Sequence, residues 1–112
     1  MAVVNLRKSA AILRGDVYWV NLDPTVGTEI QKTRPALIVS PDDMNAALPR
    51  VLIAPITSKG QAMGCRPEVK FQGKPARILL DQLRSVDKSR LSGRMGAIPL
   101  NAWHDILLEM LA

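Results

Sequence analysis

Apolar residues run through this chain in short stretches, broken every few positions by Pro, Gly, Asp or Asn, and all but one of those stretches lack helical spacing. From Asp16 to Leu22 both alternating sets are apolar, Val17 and Trp19 on one side and Tyr18, Val20 and Leu22 on the other. This predicts a strand covered on two faces, stopped by Asp23-Pro24. A polar loop from Thr25 to Thr33 leads into Pro35 to Ser40, whose Ala-Leu-Ile-Val predicts a second buried strand, and a Pro-Asp-Asp turn follows. Arg50 to Thr57, RVLIAPIT, is a third strand. Pro55 lacks a ladder donor, which predicts a bulge or an edge near the end of that strand and puts Thr57 and Ser58 where strand gives way to loop.

Glu68 to Phe71 alternates, with Val69 and Phe71 inward and Lys70 outward, and the turn Gln72-Gly73-Lys74-Pro75 reverses it into a longer strand from Ala76 to Val86. Met95 to Ile98 reads as a short last strand. Helical spacing is confined to Asn101 to Leu111, where Trp103, Ile106/Leu107 and Met110/Leu111 make one apolar stripe behind Asn101 as cap. Many short strands and a terminal helix predict a mainly β domain, a small and strongly bent barrel.

At 112 residues the chain suffices for one domain, and with 47% apolar but 4% aromatic residues its core must be aliphatic. No repeat or linker divides it; residues 1–13 are expected to form a mobile tail and residues 14–112 the domain. Cys65 is the only cysteine, so no internal disulfide forms, and no Cys/His cluster offers zinc ligands. Neither a metal nor a cofactor is expected. The N-terminal apolar residues are interrupted by Arg7, Lys8 and Arg14, unlike a signal peptide, and no later run spans a bilayer. A cytoplasmic protein without a membrane partner is the expectation.

The net charge of +5 points toward a polyanion, but Arg7, Lys8 and Arg14 supply three of those charges, leaving twelve bases against ten acids elsewhere. Placement therefore says more than the total. Arg77, Arg84, Lys88, Arg90 and Arg94 outnumber Asp81 and Asp87 along one segment, while Lys32, Arg34, Lys59 and Arg66 fall in loops or at strand ends. Three features stand out: Glu29 with Arg34, the Thr57-Ser58 pair, and Asp81-Gln82 inside an apolar run. An ion pair, turn hydrogen bonds and a structural hydrogen bond are the plain readings of these. Asp81, between Leu80 and Leu83, needs a partner or an open cleft.

The order of these pieces carries a resemblance. GDVYWVNLDPTVGTEIQKTRPALIVSP, then APITS, then ILLDQLRSVDKSRL resemble the MazF/PemK family of bacterial toxin endoribonucleases, over about Arg14 to Leu111. The resemblance implies an SH3-like barrel of the CcdB/MazF type, a homodimer, and metal-independent cleavage of single-stranded RNA. In that reaction the ribose 2′-hydroxyl attacks its own phosphate, leaving 2′,3′-cyclic phosphate and 5′-hydroxyl ends. The implied partner besides RNA is an acidic, MazE-like antitoxin. Arg34 is then expected to bind and stabilise the scissile phosphate, Thr57 to donate its hydroxyl to it, and Glu29 to act as base or to hold the arginine. Ser58, Lys32, Lys59, Asp81, Gln82 and Arg84 are expected to contact the substrate.

Two positions depart from the family. The PemK branch has an arginine two residues before the strand aspartate, where this chain has Leu79, so Asp81 is expected to support or contact substrate rather than catalyse. Many relatives read E-Q-x-G before the arginine, where this chain has Glu29-Ile30-Gln31-Lys32; the lysine adds a cation where glycine allowed freer backbone. His104, outside every matching motif, is expected to be structural. A CcdB-like gyrase inhibitor is the alternative reading, although those proteins rely on C-terminal aromatic residues and this chain has none after Trp103.

Overall fold

The computed structural model describes residues 11–22 and 32–112. Seven strands and two helices are found among them: β1 (Asp16–Asn21), β2 (Thr33–Ile38), α1 (Asp42–Ala47), β3 (Arg50–Thr57), β4 (Glu68–Phe71), β5 (Lys74–Ile78), β6 (Arg84–Asp87), β7 (Leu91–Ala97) and α2 (His104–Leu111). The strands pair antiparallel in the order β4-β5-β3-β2-β1-β7, with β6 also on β3. The sheet curls until its two ends approach. Gly96 on β7 faces Phe71 on β4 so closely that a Cβ there would lie 3.4 Å from the ring.

Alternation along the strands gives the sheet two apolar faces, each with its own core. Val17, Leu37, Ala54, Ile56 and Ile78 pack with Trp103 and Leu107, so α2 covers one face. Tyr18, Val20, Ala36, Ile38, Val51, Ile53 and Val86 form the second cluster, against which Ile12 packs. Ahead of β1, the Ala11 carbonyl accepts from Tyr18 Oη (3.4 Å), and Leu13 N donates to Asp16 Oδ2 (3.1 Å). Residues 1–10 lie outside the described residues.

Several elements differ from expectation. The long strand from Ala76 to Val86 is two strands separated by a 3₁₀ turn at Leu80–Gln82, so the chain leaves the sheet at Asp81. The Pro-Asp-Asp turn opens the short helix α1, with Asp42 and Asp43 in its first turn, where carboxylates favour a helix start. Asn101 does not cap the last helix; it sits in a 3₁₀ turn at Leu100–Ala102, and α2 starts three residues on. Of the predicted stripe, Trp103 and Leu107 are buried while Met110 and Leu111 are exposed.

Pro55 marks neither an edge nor a bulge, because β3 is paired on both sides. One side of β3 pairs with β6 over Arg50–Ile53 and with β5 over Ile56–Thr57. The Pro55 carbonyl accepts from Leu79 N (2.8 Å) on that same side. The N and O of a strand residue point the same way, so the missing N–H faces the changeover between two partners, where no ladder bond is lost.

Candidate active site

Antiparallel pairing brings the end of β1, the start of β2 and the end of β3 to one end of the sheet. The printed β2–β3 pairs run Ile38 with Ile53, Leu37 with Ala54 and Ala36 with Pro55. Continued by two positions, that register sets Arg34 opposite Thr57. Both are displaced by two from the Ala36–Pro55 pair, so their side chains leave the same face. The two residues do line one cavity of about 200 Å³, together with Ser58, Phe71, Lys74 and Ala76.

Thr57 is nearly buried, at 8% exposure, and its Oγ1 accepts the backbone N–H of Lys59 (3.1 Å). That bond occupies a lone pair and leaves the hydroxyl proton to be donated elsewhere. The rotamer has a second support: a Cβ on Gly60, whose φ is +142°, would stand 3.3 Å from Thr57 Cγ2. Only a residue without a side chain lets the loop close over the threonine methyl group at this backbone angle.

The β4–β5 hairpin forms the opposite wall. Gln72 and Gly73 have φ of +54° and +77°, the positive pair that a two-residue type I′ turn demands. The turn fixes Lys74 opposite Phe71, and both enter the cavity. Lys74 was not expected in the site. Its signal in the sequence was a Gln-Gly pair between two alternating stretches, followed at once by a base; which cavity that base enters is set by the curl of the sheet. The described lining thus holds two cations, Arg34 and Lys74, and no acid, a balance of charge that favours an anion.

The other expected site residues are spread more widely. Glu29 lies outside the described residues. Ser58 is exposed and lines the cavity; Lys59 contributes its backbone N–H to Thr57. Lys32 is exposed with φ +68°, and its carbonyl accepts from Leu22 N (3.0 Å) at the stem of the β1–β2 connection. Arg84 donates to the Leu22 carbonyl (3.3 Å) at that same stem. Asp81, Gln82 and Arg84 are not among the residues lining the cavity.

Asp81 meets Arg66 with both carboxylate oxygens (3.0 and 2.8 Å). The Arg66 hydrogen bonds hold its pKa below the ordinary carboxylate value despite partial burial, and they raise that of Arg66. The Arg66 carbonyl accepts from Arg77 Nη1 (3.1 Å), and Arg77 Nη2 donates to Glu68 Oε1 (3.0 Å). The partner that Asp81 needs is thus a guanidinium whose side chain is only 18% exposed. His104 stands at the start of α2, edge-on to Trp103 with ring centroids 5.9 Å apart. No helix among the described residues is long and apolar enough to cross a membrane.

The chain is similar to known proteins in both sequence and fold. Residues 13–110 match the family model described as PemK-like, MazF-like toxin of type II toxin-antitoxin system. The chain is 34% identical to endoribonuclease EndoA of Bacillus subtilis (strain 168), over 75% of this chain and 78% of that protein. It is 33% identical to endoribonuclease PemK of Escherichia coli, over 91% and 81%. The solved structure of MazF (Form-I) from Deinococcus radiodurans superposes with a TM-score of 0.79 at 25% identity, covering 90% of this chain and 96% of that one. A mycobacterial endoribonuclease solved in complex with its cognate antitoxin superposes with a TM-score of 0.75 at 21% identity, covering 90% and 95%.

Proposed function

We infer the activity from a shared family: the chain belongs to the PemK-like, MazF-like toxins of type II toxin–antitoxin systems, and it is an endoribonuclease. The CcdB-like alternative is not favoured, since the relatives at a third identity are named endoribonucleases. We propose that it cuts single-stranded RNA without a metal, by attack of a ribose 2′-oxygen on the adjacent phosphorus. The bond from phosphorus to the 5′-oxygen breaks, leaving a 2′,3′-cyclic phosphate and a 5′-hydroxyl. The 2′ proton goes to a base and a proton is returned to the leaving oxygen.

One observation carries this reading: Arg34 and Thr57, twenty-three positions apart, line a single cationic cavity. In the proposed mechanism the Arg34 guanidinium spans two non-bridging oxygens, and its charge is permanent. The Thr57 proton, left over from the Lys59 bond, is donated to the same phosphate. Lys74 supplies a second positive charge as the phosphorane forms, the role otherwise served by a metal ion. Ser58 borders the phosphate, and Lys32, Lys59 and Arg84 follow the RNA backbone at the same end of the sheet. Glu29 is assigned to the base, or to holding Arg34, on the family resemblance alone. Asp81 and Gln82 are assigned to support of the substrate groove.

The protein is further proposed to be a cytoplasmic homodimer neutralised by an acidic antitoxin, which a cationic groove attracts as it attracts RNA. The test is incubation of the purified protein with a long mixed-sequence RNA in EDTA. Cleavage with cyclic-phosphate ends is the expected result. Intact RNA together with inhibition of gyrase contradicts it.

A further inference from the structure

Beside the phosphate cavity lies a second one of about 290 Å³, lined by Ser58, Glu68, Pro75, Ala76 and Arg77. Ser58, Pro75 and Ala76 border both. The two are therefore neighbouring compartments of one groove, and whatever chain places a phosphate in the first has its next group at the mouth of the second. The second approaches the roughly 300 Å³ at which pockets for small organic groups begin.

Their chemistry differs in one respect. Arg34 and Lys74 suit an anion, whereas the second compartment presents the Glu68 carboxylate, which repels a phosphate and accepts hydrogen bonds. The carboxylate is held in place. Glu68 and Arg77 face each other across the β4–β5 ladder, and Arg77 is tied to the Arg66 carbonyl, whose own side chain is fixed by Asp81. Arg77 takes Oε1; Oε2 receives no hydrogen bond from any described residue, and the Glu68 side chain is 59% exposed. An oriented acceptor beside a phosphate site in a strand-built groove is what reads the edge of an unstacked base.

We propose that this compartment is a nucleobase subsite, in which Glu68, braced by Arg77, selects a base bearing an exocyclic amino group next to the scissile phosphate. The proposal rests on the endoribonuclease reading of the adjoining cavity. Adenine, cytosine and guanine each offer an amino donor to Oε2. Uracil has carbonyl oxygens at both exocyclic positions, and these face the carboxylate unfavourably. The network from Asp81 through Arg66 to Arg77 then acts on selection through Glu68, as a positioning device.

The test is sequencing of the ends cut from a randomised RNA by wild type, Glu68→Gln and Glu68→Ala, with circular dichroism to verify folding. Wild type is expected to disfavour uracil at one position flanking the cut. Both variants should admit uracil there about tenfold more often, the scale of one base-edge contact, while other positions keep their profile. The glutamine, which both donates and accepts, serves as the isosteric variant. An unchanged profile in variants that still cut overturns the proposal and leaves Glu68–Arg77 a surface ion pair; so does a wild-type preference for uracil at each flanking position. A parallel selection of bound sequences from a 2′-deoxy library, which cannot be cut, separates the two readings. If wild type cuts nothing, a Glu68-dependent loss of uracil among bound sequences still supports the subsite while the cleavage reading fails, and bound sequences indifferent to Glu68 overturn it.

Discussion

Arg34 and Thr57 each lie two positions beyond Ala36–Pro55, the last paired rung of β2 and β3 on that side, and both residues line the same cavity. An antiparallel pair needs no further device to make this juxtaposition. Wherever β2 and β3 hold their register, a guanidinium and a hydroxyl share one small volume, so the site is as rigid as the sheet that carries it.

Gly60 guards the threonine. Gly60→Ala meets Thr57 Cγ2 and forces a side chain onto φ +142°; the expected result is a stability loss of about 1–2 kcal/mol and about tenfold slower cleavage. Gly64, with open space around a built Cβ, is the control, and Gly64→Ala should leave the cleavage rate unchanged. Equal rates in both variants would show that the loop does not set the Thr57 rotamer.

Lys74 should contribute charge rather than shape. Lys74→Ala is expected to lower kcat/KM by roughly ten- to a hundredfold and to reduce the salt dependence of RNA binding by about one phosphate contact. Lys74→Arg should retain most of the salt dependence. A Lys74→Ala variant with an unaltered salt slope would remove this residue from the phosphate site.

Lys32 holds a backbone conformation suited to glycine, with φ +68°. Lys32→Gly should therefore be more stable than Lys32→Ala by about 0.5–1 kcal/mol, since alanine loses the cation but keeps the strain. Both should bind RNA more weakly than wild type. Thermal unfolding of the two variants decides it, and a less stable glycine variant counts against strain at this position.

The Asp81–Arg66 pair should stabilise the fold at neutral pH and lose that effect in acid. Its hydrogen bonds lower the Asp81 pKa in the folded state, so the unfolded chain protonates first. The contribution is complete above the ordinary carboxylate value near pH 4 and disappears as pH falls through the lower folded value. The stability difference between wild type and Asp81→Asn should be flat from pH 5 to 8 and shrink below about pH 4. Its size is modest, because the Asp81 side chain is 31% exposed and screened. A difference that grows on acidification contradicts the assignment.

The strands were legible where alternation or apolar runs agree with Pro/Gly punctuation; Arg50–Thr57 and Glu68–Phe71 have the bounds their patterns predict. The 3₁₀ turn at Leu80–Gln82 was hidden by the apolar run around it. Its one cue was Asp81, a carboxylate that leaves the sheet to reach Arg66. Six-residue α1 is too short to display a helical period. At the site, Arg34 and Thr57 were named from motifs, but their proximity depends on strand register, which follows from three-dimensional pairing. Lys74 and Glu68 escaped notice for the same reason: nothing near them in sequence announces which cavity a hairpin will wall.

The most direct test is a double-mutant cycle on cleavage of a defined RNA in EDTA, using Arg34→Ala, Thr57→Ala and the double variant. Each single change is expected to slow cleavage by about two or more orders of magnitude, and the double variant should fall well short of the product, because both groups act on one phosphate. Folded single variants that cut at the wild-type rate would contradict the account.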